Sequence, residues 1–314
     1  MNPLAGREAV APNQPRPGRR ISIAQRRERW GFLFVLPVTL FLLIVILGPL
    51  LFGFWISLHS WNPLASLTEA KWVGWRNYEF LLTLDKRFLP SLINSGYYAV
   101  ARVIGNVVIG LALAMLMNYP KLKGLRFWRV ALFLPMATSP VVLGHMWANM
   151  FHKDFGILNT ITGFLGFPAV GWMTNPDTAL IAVIIMGTYQ FVGYYAIVFL
   201  AGLQGIPEEY AEAASIDGAN GWQQFWYITL PQLTPVIAFV TVMSTISGLQ
   251  VFDLVISSTD GGPADATNTV VLQMYKTVFV NGRAGQGAAM AFILFAILMA
   301  LSVIQLRLLR EQRS

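Results

Sequence analysis

The sequence contains no cysteine, and only 12% of its 314 residues are charged. The absence of cysteine excludes a disulfide scaffold, thiolate zinc sites, iron–sulfur ligation and cysteine catalysis. A soluble domain of this length carries about a quarter charged residues, so the charge present here is too little to cover a water-facing surface. Because 55% of the residues are hydrophobic, we expect lipid to be the solvent for much of the chain.

The sequence also lacks the common patterns of enzymes. It has no Gly-rich phosphate loop with a lysine, no acid–His pair and no nucleophile–base spacing. We therefore expect a chain that is not an enzyme, needs no cofactor or metal, and does not itself hydrolyse ATP. The net charge of +7 is read as a topology signal rather than as a sign of nucleic-acid binding.

Six apolar stretches are long enough to cross a bilayer, which takes about 20 residues each. They are continuous rather than alternating, which predicts helices and not a barrel. The first stretch is too long for a signal-peptide core, so it is kept as a span. The predicted fold class is therefore all-α, a polytopic membrane protein with six transmembrane helices near 31–58, 92–117, 128–151, 178–203, 231–253 and 287–307.

The distribution of Lys and Arg predicts the orientation of these spans. Residues 1–28 are polar and arginine-rich and are predicted to be a disordered cytoplasmic tail, followed by the six-span domain at 29–314. With both ends inside, the inner segments hold 14 of the 22 Lys and Arg and the outer segments hold seven; the last, Arg102, lies inside a span. Positive charge accumulates on the cytoplasmic side, so both termini are predicted to be cytoplasmic, in a cell inner membrane.

One inner connection breaks this charge pattern. The segment 204–230 has no Lys or Arg and carries four acids, Glu208, Glu209, Glu212 and Asp217. Topology signals do not explain an acidic inner loop of this length, so we expect it to meet a partner. The alternative is an amphipathic surface helix without a partner.

The same segment predicts two short helices joined by a sharp turn. Pro207 with acids directly after it is a helix start, and the helix is expected over Glu208–Ile216. Gly218 permits a reversal of the chain. Asn220, with Gln223 three residues on, predicts a capping box that opens a second helix. The product is a helical elbow at the membrane surface, leading into the fifth span.

A family resemblance rests on this elbow. The pattern Glu212-Ala213-Ala214, three residues, Gly218, then Ile228-Thr229-Leu230-Pro231 resembles the EAA loop of ABC-importer permeases, and its wider form is present from Tyr210 to Ala219. The resemblance implies the type I importer permease fold and a helix that docks on an ATPase subunit. It implies a role in this coupling for Glu212, Ala213, Ala214, Asp217 and Gly218. Glu212 would form a charged hydrogen bond across the contact, cap a neighbouring turn, or be a solvated acid.

Further patterns resemble the carbohydrate group of these permeases, typified by the maltose and glycerol-3-phosphate transporters. They are the outer loop Ser258-Thr259-Asp260-Gly261-Gly262-Pro263, the segment Arg126-Phe127-Trp128-Arg129 and the pair Leu134-Pro135. The resemblance covers about residues 30 to 310. It implies a second homologous permease in a heterodimer, an ATPase dimer, a periplasmic or extracellular solute-binding protein and surrounding lipid, with no nucleic acid.

The maltose permease's contact pattern implies a set of substrate-binding residues. Hydroxyls, amides and aromatic rings suit a neutral polyol. Gly248 and Met136 stand where the maltose permease has larger polar groups, so we expect a substrate other than maltose. For each residue, the alternative is that it holds helices together. The candidates are Thr138, Ser139, Tyr189, Gln190, Ser244, Ser247, Gly248 and Gln250.

Arg102 is a further candidate, without support from the resemblance. A charge about 15 Å deep in a span, at 1.5 Å per residue, is costly and usually faces a cavity or a partner. It would bind an anionic group on the substrate, or form an inter-helix hydrogen bond.

Two other functions stay open as alternatives. One is an ABC importer permease for a non-sugar solute, such as an amino acid or an oxyanion, which the Gly-Gly-Pro loop disfavours. The other is a membrane enzyme or secondary carrier, which would require paired intramembrane acids or inverted repeats, and the sequence has neither.

Overall fold

The computed structural model of the chain describes residues 23–119 and 123–311. The predicted tail falls mostly outside them, and its residues 23–28 are helical rather than irregular. The chain divides at Gly53 into two units, which are described separately below. In chain order the helices are α1 Ile23–Leu42, α2 Gly48–Ser57, α3 Arg76–Thr83, α4 Phe88–Met117, α5 Leu125–Ala137, α6 Pro140–Met150, α7 Ile157–Phe164, α8 Pro176–Gln204, α9 Glu208–Ile216, α10 Gly221–Gln224, α11 Leu230–Gln232, α12 Thr234–Leu249, α13 Asp253–Ser258, α14 Val270–Tyr275 and α15 Ala284–Glu311.

The first unit consists of α1 and most of α2, joined by a π-helical turn at Leu43–Leu47. The apolar span covers Phe34–Ser57, 24 residues, which agrees with the stretch predicted at 31–58. Pro37 lies inside α1. It interrupts the hydrogen-bond ladder without ending the helix.

The second unit is a helical bundle in which α4 packs against α8 and α12. Small residues allow this close approach. A Cβ added to Gly105 of α4 would lie 2.8 Å from the methyl group of Thr188 of α8. A Cβ on Gly110 would lie 3.5 Å from the backbone nitrogen of Ala196. The bundle interior nearby is apolar and includes the fully buried Phe199.

Two of the six predicted spans are not straight. Helices α5 and α6 meet at an angle of 98°, and the segment Gly221–Gln232 meets α12 at 64°. The continuous span predicted at 128–151 was therefore wrong in shape, whereas the second bend falls at the start of the span predicted at 231–253, most of which is the single helix α12. Pro140 explains the first break, because a proline lacks an N–H and its ring crowds the preceding turn. Pro235 acts in the same way after Leu233. Over the described residues, four helices are long enough to span and the two bent pairs make up to six.

The connections carry short elements. A two-stranded antiparallel hairpin pairs β1, His59–Ser60, with β2, Lys71–Trp72. It is a small departure from the predicted all-α class, which is otherwise confirmed. Helices α13 and α6 pack against each other, so the short helix that follows α12 lies beside the helix that follows the bend of the third span.

Candidate functional site

The acidic connection folds as predicted, into a helical elbow that comprises α9, a turn and α10. Helix α9 covers Glu208–Ile216, the range expected from the sequence, and begins after Pro207 with two acids in its first turn. Acids at that end stabilise a helix because its dipole is positive there. Gly218 has a φ of +82°, in the left-handed region that favours glycine.

Side-chain hydrogen bonds fix the second helix of the elbow. Asn220 accepts from the backbone nitrogen of Gln223 at 2.9 Å, and the Gln223 side chain accepts from the backbone nitrogen of Asn220 at 2.8 Å. The capping box is therefore confirmed. Gln224 donates to the Ser215 hydroxyl at 2.9 Å and so links α10 to α9. The elbow is held as one unit by its own residues.

A groove of about 340 Å³ separates α9 from the segment that leads to α12. Its lining combines the small residues of the predicted motif with an acid and a few larger side chains. Glu212 is exposed and has no side-chain partner in the described chain, so it does not cap a neighbouring turn here. The lining residues are Tyr210, Ala213, Ala214, Asp217, Tyr227, Ile228, Pro231 and Gln232.

Arg102 is buried between α4 and α8. It is 3% exposed, and its guanidinium carbon lies 4.4 Å from the centroid of the Phe191 ring and 5.9 Å from that of Tyr98. Its Nε and Nη2 atoms have no hydrogen-bond partner within the described chain. The guanidinium thus contacts aromatic faces rather than an open cavity.

Ser244 and Gly248 share one helix face, as their spacing predicts, and this face is buried against α4. Asn106 of α4 donates to the Ser244 hydroxyl at 3.1 Å. A Cβ on Gly248 would lie 2.8 Å from the Cα of Ala99. Asn106 was not among the predicted site residues. Its position four residues after Arg102, on the same face of α4, is the sequence feature that could have predicted it.

The break in the third span is where Thr138, Ser139 and Gln190 come together. Gln190 is buried and donates to the Thr138 carbonyl at 3.4 Å, a carbonyl that the bend leaves without a helical partner. Ser139 is exposed. Tyr189 is exposed as well, and its ring meets the ring of Trp147 edge-on at 5.4 Å.

The remaining two candidates lie near the C-terminal end of α12. Ser247 is half-buried and donates to the carbonyl of Met243 at 2.8 Å, whereas Gln250 is exposed. The structure thus divides the predicted substrate residues into two groups. The exposed or half-buried residues are Thr138, Ser139, Tyr189, Ser247 and Gln250; the buried residues are Arg102, Gln190, Ser244 and Gly248.

The Gly-Gly-Pro loop is held by hydrogen bonds and by two ion pairs. Thr267 is buried, and its hydroxyl donates to the Gly262 carbonyl at 2.7 Å. Lys276 pairs with Asp260 at 3.1 Å, and Arg87 with Asp265 at 3.3 Å. The loop is therefore held in place by contacts beyond its own backbone rather than being a simple turn.

These features define the class: an integral membrane protein whose helical bundle carries a rigid elbow between α8 and α12. The chain belongs to the family described as "Binding-protein-dependent transport system inner membrane component", whose profile matches residues 106–314. A permease of this family is a transport subunit, in agreement with the absence of enzyme motifs.

Similar proteins cover nearly the whole chain. The "Trehalose/maltose transport system permease protein MalF" of Thermococcus litoralis is 31% identical, over 92% of this chain and 96% of that protein. The "Lactose transport system permease protein LacF" of Rhizobium radiobacter is 34% identical, over 94% of this chain and 98% of that protein.

A solved structure matches the fold. It is a chain of the "bacterial alginate ABC transporter in complex with alginate pentasaccharide-bound periplasmic protein", with a TM-score of 0.75 and 20% identity, over 89% of this chain and 93% of that chain. The type I ABC importer permease fold implied by the elbow motif is confirmed.

Proposed function

We propose that this chain is a transmembrane subunit of an ABC importer that moves a sugar or a sugar derivative inward across the inner membrane. ATP hydrolysis on a separate subunit supplies the energy. The proposal includes cytoplasmic termini, which place the elbow on the side where ATP is available.

The observation that carries the proposal is the elbow. It exposes an acidic helix with small residues along a groove of about 340 Å³, and its geometry is fixed before any partner binds. A rigid elbow joined to α12 can transmit the motion of an ATPase subunit into the bundle, because force applied to α9 is not dissipated in a flexible loop. We assign this coupling to Glu212, Ala213, Ala214, Asp217 and Gly218.

The carbohydrate part rests on the relatives. Permeases of a trehalose/maltose system and of a lactose system match this chain almost end to end. The five polar side chains that stay accessible, Thr138, Ser139, Tyr189, Ser247 and Gln250, offer the hydroxyl, amide and aromatic groups that orient a polyol. We propose these five as the substrate contacts and the buried candidates as packing residues.

The assembly we propose has a second homologous permease beside this chain, two ATPase subunits on the cytoplasmic side and a solute-binding protein outside. The family description and the periplasmic protein in the alginate transporter support the last of these. The fixed Gly-Gly-Pro loop is a suitable part of the outer surface for it.

The test is transport by the reconstituted complex. The chain is expressed with the permease, ATPase and solute-binding genes that adjoin its own, and the complex is placed in liposomes with ATP inside and the binding protein outside. We expect uptake of at least one labelled glycoside that stops without ATP. Uptake of only an amino acid or an oxyanion would overturn the carbohydrate assignment. Uptake by this chain alone, without the ATPase, would overturn the importer assignment.

A further inference from the structure

The second half of the elbow differs in chemistry from the first. From Gly218 to Phe252 the sequence has no Asp, Glu, Lys or Arg, whereas α9 and the residue after it hold four acids. Three aromatic side chains cluster on this uncharged segment, and we call Trp222, Phe225 and Trp226 the aromatic face. The ring centroids of Trp222 and Trp226 are 5.7 Å apart, and those of Phe225 and Trp226 are 5.4 Å apart.

The aromatic face is open to the surroundings of the chain. Trp222 is 70% exposed and Trp226 is 47% exposed. Neither lines the groove beside α9, whose aromatic walls are Tyr210 and Tyr227. The elbow therefore has two separate surfaces: an acidic one around α9 and an uncharged aromatic one on α10 and the turn after it.

The position of the aromatic face relative to the membrane follows from the 64° bend. Trp226 precedes Thr234, the first residue of α12, by eight residues, or about 12 Å of helix. If α12 stands along the membrane normal, a segment inclined at 64° to it rises about 5 Å over that length, and about 8 Å as far as Trp222. Both side chains therefore lie within about 8 Å, along the normal, of the end of α12 at which the elbow joins it, and that end is at the membrane–water interface if α12 crosses the bilayer.

We propose that the aromatic face binds the lipid surface of the leaflet next to the elbow, with Trp222 and Trp226 in the headgroup region. The inference rests on the proposed function for the side on which this leaflet lies, the cytoplasmic one. Trp is enriched at this depth because its ring is apolar and its indole N–H is polar. Since no basic residue lies between Gly218 and Phe252, the contact does not depend on anionic lipid.

The consequence for transport is that the two helices of the elbow have different roles. When a protein partner moves α9, the rigid elbow turns about α10, which stays at the membrane and serves as the pivot. The hydrogen bond between Gln224 and Ser215 links α10 to α9. Motion of α9 would then be converted into tilting of α12 rather than into withdrawal of the whole elbow from the membrane.

Site-specific photocrosslinking in the complete reconstituted complex tests the proposal. Trp222→p-benzoyl-phenylalanine and Trp226→p-benzoyl-phenylalanine are made separately, and the complex is illuminated in nanodiscs of zwitterionic phosphatidylcholine. Intact-mass analysis then identifies the adduct. The matched position is Tyr210→p-benzoyl-phenylalanine, an exposed aromatic on α9.

We expect phospholipid adducts on this chain at positions 222 and 226, and at least a fivefold lower lipid yield at position 210. Adducts from 222 and 226 to the sister permease or to the ATPase subunit, or no adduct there, would overturn the lipid contact. A crosslink from 210 to the ATPase subunit reports separately on the proposed function, so failure of either idea is recognisable by itself.

Discussion

The guanidinium carbon of Arg102 in α4 lies 4.4 Å from the centroid of the Phe191 ring in α8. The contact joins two helices of the bundle through a cation and an aromatic face, an arrangement worth about 0.5 to 2 kcal/mol. Arg102 is almost fully buried and has no carboxylate partner in the described chain. Removing its charge from water costs free energy, which offsets the gain from this contact. We infer that Arg102 is a packing residue between α4 and α8 and does not bind substrate.

Replacing Arg102 tests this inference. Arg102→Gln leaves a buried amide without a partner and should destabilise the complex by about 1 to 3 kcal/mol, seen as lower yield and lower thermal stability. Arg102→Met keeps the length and removes the charge, so stability should stay equal or rise. Uptake per assembled complex should be unchanged in both variants for neutral and anionic glycosides alike.

The opposite result has a clear signature. If Arg102 binds an anionic group on the substrate, Arg102→Met should assemble normally, transport neutral sugars and lose anionic ones. That selectivity change would contradict the packing role.

Gly218→Val should uncouple transport from ATP hydrolysis. At a φ of +82° an L side chain is strained by about 1 to 2 kcal/mol, and a β-branched one by more, so the turn between α9 and α10 should distort. The measurement is uptake per ATP hydrolysed. Gly166→Val is the matched control, since Gly166 has the same φ and equally open space but lies in another connection. Equal uptake in the two variants would remove the coupling role of the turn.

Glu212→Lys should weaken the association with the ATPase subunit while insertion of the chain stays normal. The Glu212 side chain is exposed and has no partner in the described chain, so reversal of its charge does not disturb the fold. Co-purification of the ATPase subunit is the readout. Glu79→Lys, an exposed acid on α3, is the control and should have no effect. An ATPase yield as high for Glu212→Lys as for Glu79→Lys would argue against this role.

Gly248→Ala should destabilise the bundle. The added Cβ would lie 2.8 Å from the Cα of Ala99, a backbone atom that cannot move aside, and overpacking of this kind costs about 1 to 3 kcal/mol. Gly96→Ala, in α4 with open space around it, should instead be neutral or stabilising, because Ala is the better helix former. Thermal unfolding of the purified complex distinguishes the two. Normal stability with altered substrate preference in Gly248→Ala would indicate a substrate contact instead.

Local signals in the sequence were sufficient to predict the elbow. The start of α9 after Pro207, the reversal at Gly218 and the capping box of Asn220 with Gln223 each depend on residues within a few positions of one another. Local signals for the bends were also present, namely Pro140 and Pro235. Whether a proline breaks a span or the helix continues through it depends on the neighbouring helices. Pro37 is absorbed within α1, and Pro140 accompanies a turn of 98°.

The sequence by itself determined that this protein is helical, lies in lipid and carries an acidic helical elbow, because composition, hydrophobic length and turn chemistry are properties of short segments. Only the tertiary structure decided which polar residues face inward. Ser244 and Ser247 are three positions apart on α12, yet one accepts from Asn106 and the other bonds its own helix. Their surroundings are set by how α4 and α12 pack, a relation between residues more than a hundred positions apart that no local pattern encodes.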